Sequence, residues 1–253
     1  MIFLIQITTI QIDNFGPYTE EMGNNREHKI QLLLSELYIF LQKCFNEHGS
    51  LVFSASKDIL IAVTNGITIE VHQEIINQVK NNFPITISMG IGIGKTPLEA
   101  QIEASNVLKP YGSAQSSRKN ILAYNGKKIP INGNIKVAHV DINFYTKLAT
   151  DINPFYINYI SLNKSYTTLL EYFKEIDALC FFNGGDNFIC ICPDDIKRSD
   201  IEKILDIYEE KHSPWKLKAG IGQGENVLEA ISEANIFLHR IREGNNQEKI
   251  LGI

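Results

Sequence analysis

This chain repeats itself, and that constrains its fold more than any other feature. IQIDN at 10–14 lies over AHVDI at 138–142 at an offset of 128, which sets Asp13 on Asp141. At the same offset LVFSASKDILIAV (51–63) lies over LCFFNGGDNFICI (179–191), and Asp58 meets Asp186. After a two-residue slip, MGIGIGKTPLEAQIEASNVL (89–108) lies over AGIGQGENVLEAISEANIFL (219–238), with 10 of 20 positions identical. Three blocks in one order mean two copies of one structural unit. The expected division is residues 1–125 and 133–253, joined by a linker at 126–132 rich in Gly, Lys and Pro.

Each copy carries the same succession of patterns. Residues 3–13 alternate as a strand does and end on an acid. Ile30, Leu33, Leu34, Leu37, Phe40 and Leu41 then recur at three- and four-residue steps, one apolar face of a helix. Two short strands follow at 51–54 and 59–64, matched by 179–182 and 187–192, where Gly184-Gly185 suits a tight turn. A helix at 69–82, a strand at 85–93 and a further helix at 97–109 close the first copy, matched by 198–211, 216–223 and 227–242. The order β-α-β-β-α-β predicts an α+β chain of two tandem ferredoxin-like, or palm, repeats, each an antiparallel sheet with helices on one face. The segment 112–133 reads as loops with a hairpin joining the copies.

Composition narrows the function. Apolar residues make up 44% of the 253, enough for a sizeable core. Lys and Arg number 24 against 29 Asp and Glu, a net charge of −5, which disfavours a nucleic-acid partner. The opening MIFLIQITTIQI is too short to span a bilayer and lacks the basic start of a signal peptide. A cytoplasmic protein with no membrane partner is expected. Cys44, Cys180, Cys190 and Cys192 form no zinc-type cluster and read as core thiols.

The acidic positions carry the chemistry. In this topology the first strand neighbours the central hairpin. Asp141 and Asp186 therefore meet at one end of the second sheet, two carboxylates with no basic residue between them. Such a pair repels unless a cation sits there. Mg²⁺ suits it, being hard and commonly held by one or two carboxylates plus substrate phosphates. Gly184 and Gly185 allow a phosphate close to the backbone, and together these residues make a site for a metal–nucleoside triphosphate. Asp13 at the end of the first strand is the matching candidate ligand, although the first copy replaces Gly184-Gly185 by Ser56-Lys57 and Asn187 by Ile59. Lys218, expected on a strand at the sheet edge, either reaches the triphosphate or is a solvated lysine. His139 shares the face of Asp141 and is either an acid–base group or a hydrogen-bonded structural residue. Asn14 and Asn187 are candidates to help read the base. The glycines of GIGIG and GIGQG lack the spacing of a dinucleotide or Walker loop and are expected to serve strand–helix packing.

IQIDNFGPYT, IAVTNG at 61–66, YGSAQ at 111–115, FFNGGDNF at 181–188 and LKAGIG at 217–222 resemble archaeal GTP cyclohydrolase III, in order and spacing, over nearly the whole chain. GGDN alone is shared loosely with the wider GGDEF and class III cyclase group. The resemblance implies a Mg²⁺-dependent enzyme, activated by a monovalent cation such as K⁺. It would open the guanine imidazole ring of GTP by hydrolysis, retain the carbon as formyl and release two phosphates. The product would be 2-amino-5-formylamino-6-ribosylamino-pyrimidinone 5′-phosphate, which feeds flavin and deazaflavin synthesis. It also implies a homo-oligomer, a dimer or dimer of dimers. The turn SASKDI departs from the family pattern, in which an Asp-Asn pair is expected. Two alternatives stand beside this reading: a nucleotidyl or dinucleotide cyclase using the same carboxylates, and a non-catalytic nucleotide-binding regulator.

Overall fold

The computed structural model describes residues 3–130, 134–244 and 248–253. They fall into two compact units, Met1–Lys95 with Glu99–Gly133, and Thr96–Leu98 with Asn134–Ile253. In the first, β1 (Ile5–Ile12) leads through a short helix α1 (Phe15–Glu20) into α2 (Arg26–Asn46). The hairpin β2 (Leu51–Ser54) and β3 (Ile59–Val63) follows, then α3 (Ile69–Asn82), β4 (Ile87–Gly94), α4 (Pro97–Asn106) and β5 (Leu122–Tyr124). The second runs β6 (Ile135–Ile142), a π-helical turn at Thr146–Thr150, α5 (Phe155–Lys174), β7 (Leu179–Gly184), β8 (Asn187–Cys192), α6 (Arg198–Lys211), β9 (Leu217–Gly224), α7 (Val227–Glu243) and β10 (Ile250–Leu251). The sheet orders are β2-β3-β1-β4-β5 and β10-β9-β6-β8-β7. The two palm-like repeats expected from the patterning are present.

Alternation along the strands builds the layers. Ile10, Ile12, Ile87 and Met89 face a cluster with Leu37 and Leu41 of α2 and Ile76 and Val79 of α3. The intervening Gly90 and Gly92 face the other way, against α4. A Cβ on Gly92 would stand 2.0 Å from the carbonyl oxygen of Ala100, and one on Gly222 would stand 2.2 Å from that of Ala230. The glycine rows are packing surfaces, as expected: only a missing side chain lets a helix backbone lie that close. The two helices of each βαββαβ motif thus cover one face, and the additional helix covers the other.

Two expectations need correction. Among the described residues the segment after α4 holds no hairpin. It makes a 3-10 turn at Lys109–Tyr111 and then β5, which pairs parallel with β4. Lys127 Nζ of the expected linker donates to Ile93 O at 3.0 Å, and Pro130 O accepts from Gly66 N at 3.0 Å, so these residues dock on the first sheet. Positions 131 and 132 of that linker lie outside the described residues.

The second correction concerns the repeat itself. In β1, Gln11 stands opposite Ile59 and Ser88, whereas in β6 Asp141 stands opposite Asn187 and Lys218. Asp13 N donates to Thr86 O, as Asn143 N donates to Lys216 O. Asn14 and Phe144 share the left-handed conformation, with φ of 54° and 56°. The structural counterpart of Asp141 is therefore Gln11, and that of Asp13 is Asn143. The sequence overlay of the first strand was two residues out. A two-residue slip keeps every side chain on its face, so hydrophobic alternation is blind to it; only the ladder reveals it.

Candidate active site

The second unit gathers its polar residues at one end of the sheet. Asp141 is the penultimate residue of β6, the central strand, and is only 3% exposed. The β7–β8 turn lies beside it: Asp186 O accepts from Ile142 N at 3.2 Å. That turn exists because Gly184 and Gly185 take φ of 97° and 60°, values that side chains resist. A Cβ on Gly184 would meet nothing within 4 Å, so the turn backbone is open to a ligand.

Cross-strand pairing sets the charges. Lys218 faces Asp141 directly across β6–β9, and its Nζ lies 3.1 Å from Asp141 Oδ1. The same Nζ donates to Asn143 Oδ1 at 3.2 Å. Arg242, in the last turn of α7, donates to Asp141 Oδ2 and, at 3.2 Å, to Asn187 Oδ1. Two expectations change here. The carboxylates do not stand without basic partners, because Lys218 and Arg242 hold Asp141. Nor is Lys218 on an edge strand, since β10 covers β9.

Asp186 is poised differently. Its Oδ1 accepts from Asn187 Nδ2 at 3.1 Å. Loss of solvent, then the charge of Asp141, push its pKa above the ordinary carboxylate value, with Arg242 and Lys218 opposing. The two acids therefore feel one another, and Asp186 is the member that gains most from an added cation. Tyr145, buried beside this turn, has its pKa raised by burial and by the charge of Asp186. His139 Nε2 lies 3.0 Å from Asn187 Oδ1, and its Nδ1 lies 2.5 Å from Asn235 Oδ1. The imidazole is thus clamped between two amides, and through Asn187 it reaches Asp186 directly and Asp141 by way of Arg242. Its geometry is that of a positioning residue.

Among the described residues no group of three or more His, Cys, Asp or Glu side chains gathers as a metal cage. The donor set at this end of the sheet is two carboxylates, all oxygen. That fits a hard cation completing its shell with water and phosphate, and does not fit zinc. Beside it opens a cavity of about 440 Å³ whose lining includes Lys216, Lys218, Arg242 and Lys249 against Glu209 and Glu248. In a chain of net charge −5, this basic concentration is local and favours an anion.

Asp13 and Asn14 belong to the first unit. Asp13 Oδ1 accepts from Ser88 Oγ at 2.6 Å; Oδ2 accepts from Thr86 Oγ1 at 2.9 Å and from Asn120 N at 2.8 Å. Its match to Asp141, the ground for expecting a metal there, is removed by the strand register. Arg242, Tyr145, Asn143 and Asn235 escaped the sequence reading. Arg242 looks like an ordinary basic residue complementing a helix C-terminus, and the signal that could have found Asn143 was the true register of the repeat.

A family model described as GTP cyclohydrolase III matches residues 5–252. A GTP cyclohydrolase III of Methanococcus maripaludis is 40% identical over 98% of this chain and 92% of its own length. One from Methanobrevibacter smithii is 42% identical, covering 96% of each. Among solved structures, a bacterial light-regulated adenylyl cyclase is 11% identical, with a TM-score of 0.42 over 98% of this chain and 84% of that one. This chain belongs to the GTP cyclohydrolase III family.

Proposed function

We propose that the second unit binds GTP with Mg²⁺ and hydrolyses it, opening the imidazole ring, keeping the carbon as formyl and releasing two orthophosphates. One water is consumed at C8 and one at each phosphoanhydride bond. The product is 2-amino-5-formylamino-6-ribosylamino-pyrimidinone 5′-phosphate, an intermediate suited to flavin and deazaflavin synthesis. The observation that carries this reading is the Asp141–Asp186 pair flanked by Lys218 and Arg242.

Asp141 and Asp186 would hold Mg²⁺, which when bound neutralises non-bridging phosphate oxygens and acidifies a coordinated water. Lys218 and Arg242 present donors to the phosphate chain. Arg242 offers a planar fork, and its side chain is 42% exposed, so it can exchange a carboxylate for a phosphoryl oxygen. Gly184 and Gly185 leave the turn N–H groups accessible. Asn187 ties His139, Arg242 and Asp186 into one network. His139 orients Asn187 and is the acid–base group nearest this network, and Asn187 is a candidate to read the guanine edge.

K⁺ is the expected monovalent activator. Exposed Ile152, Phe155, Tyr156 and Tyr159 of the second unit support assembly into a homo-oligomer, because such apolar patches seldom face water. Among the described residues no helix is long and apolar enough to cross a membrane, in keeping with a cytoplasmic enzyme.

One assay tests the reading. The protein is incubated with GTP and Mg²⁺ while the purine absorbance and released phosphate are followed. Loss of the purine band with two orthophosphates per GTP is expected. Pyrophosphate with an intact purine would make the protein a nucleotidyl cyclase instead, and tight binding without turnover would make it a regulator.

A further inference from the structure

The first unit carries a second pocket of opposite electrostatic design. Where Asp141 stands in β6, β1 has the neutral Gln11, and Gln11 Oε1 accepts from Arg118. Arg118 is 7% exposed. Among the described residues no carboxylate comes within ion-pair distance of it, and its Nε is buried without a partner. Burial lowers its pKa, opposed by the charge of Asp13. Asp13 is the nearby acid, yet both its oxygens are committed to Ser88, Thr86 and the Asn120 amide. A buried guanidinium matched only by a neutral carbonyl is costly. Such a charge is retained where a ligand completes it.

The surrounding loops are tied together. Asn14 N donates to Ala114 O at 2.5 Å and Gly16 N to Gln115 Oε1 at 2.9 Å. The two strings DNFGPYT and YGSAQSSR, a hundred residues apart in the chain, are thereby closed on one another. Between them lies a cavity of about 260 Å³, lined by Arg118, Lys119, Ser116, Ser117, Asn14 and Asp13 among others. The guanidinium fork, an ammonium, the Ser116 hydroxyl, the Ser117 hydroxyl (which also donates to Ser113 O at 3.4 Å) and an amide outnumber the one carboxylate of the lining, Asp13, whose oxygens are already committed, and suit a tetrahedral oxyanion.

We propose that this first-unit pocket binds a phosphoryl group without a metal, from inorganic phosphate or from a nucleoside monophosphate, with Arg118 as its principal contact. The site is built from first-unit residues and uses neither acid of the second unit, and it stands whether or not GTP is turned over.

The test uses the full chain with EDTA present. Inorganic phosphate and GMP are titrated separately by calorimetry into the wild type, into Arg118→Gln, and into a Lys218→Ser, Arg242→Gln double variant that disables the basic cavity of the second unit. Binding retained in the double variant and weakened by about tenfold or more in Arg118→Gln is expected. Tighter GMP assigns the nucleotide's phosphoryl group, and equal affinity the free anion. Binding lost in the double variant but intact in Arg118→Gln would put the anion in the second unit and overturn the proposal, as would no binding of either probe. Should Arg118→Gln not fold, labelling of wild-type Arg118 by phenylglyoxal, read by peptide mass spectrometry, replaces it. Protection by phosphate supports the pocket, and labelling indifferent to phosphate refutes it.

Discussion

The two units share strand order, register and glycine-lined helix packing, yet their sheet ends have opposite chemistry. In the second, two acids lie within reach of each other's charge and two bases pair with one of them, Asp141. In the first, a glutamine replaces the strand acid, a serine replaces the lysine, and the hairpin turn is SASKD, whose Asp58 accepts from Ser56 Oγ at 2.9 Å. The interiors differ as well. His72 of α3 is fully buried, with Nε2 2.8 Å from Thr8 Oγ1 and Nδ1 2.7 Å from Thr68 O, where the matching position in α6 is the apolar Ile201. A duplicated scaffold keeps what its backbone packing demands and is free to change whatever points out of the sheet end. The site chemistry is thus a property of a few side chains, and fold similarity alone does not transfer it.

The sharpest way to break this contrast is Asp186→Ala. Phosphate release from GTP is expected to fall on the order of 1,000-fold or more, since the variant removes one of the two carboxylates proposed to hold the cation. The apo protein should not lose stability. A carboxyl whose folded-state pKa is raised disfavours folding once pH exceeds its ordinary value, so its removal is neutral or slightly stabilising near pH 7. Wild-type turnover in Asp186→Ala would sink the assignment, and a steep fall in apo melting temperature would contradict the electrostatics.

The buried histidine sets the next effect. Burial holds the His72 pKa at about 4 against an ordinary value of 6.5. The folded state therefore favours neutral His72. Its contribution is intact above about 6.5 and is lost as pH falls from there toward 4, amounting to about 3 kcal/mol at most. Denaturant melts of the wild type should weaken over that window, and His72→Leu should flatten the slope. An unchanged slope would mean that the histidine is protonated or solvated.

A smaller change is expected from Lys218→Ser, which installs the first unit's residue in the second. Loss of one proposed donor to the phosphate chain should lower kcat/KM for GTP by about 10- to 30-fold, chiefly through KM. Asp58→Ala, the first-unit counterpart of Asp186→Ala, should change turnover by less than about twofold, as a half-buried turn residue outside the site would. A large loss there would mean that the first hairpin also serves catalysis.

Much of this was legible before any coordinates. Strand alternation, the 3.6-residue stripe at 33, 37 and 41, and the repeat itself specify two palm-like units because those periods are local signals. Gly184-Gly185 marks its turn for the same reason, and Asp141 and Asp186 were brought together by topology alone. The short strands β5 and β10 were not readable: β5 is three residues and β10 is two, and such pieces exist only because an exposed edge of β4 or β9 is there to pair with. Arg242 was invisible because nothing in α7's pattern tells a solvent-facing arginine from one that bends over the sheet end.

The sequence by itself determined the duplicated architecture, the packing role of the glycine rows and the acidic character of the second hairpin, since each depends on residue types and spacings within a short stretch. Tertiary structure alone decided which first-strand residue corresponds to which. A shift of two leaves the inward and outward faces unchanged, and only hydrogen-bond partners across the sheet fix the register. That register set Gln11 against Asp141 and joined residues 11–19 to 111–120 around a buried arginine. It also put two bases on the acid that had seemed to face its neighbour alone.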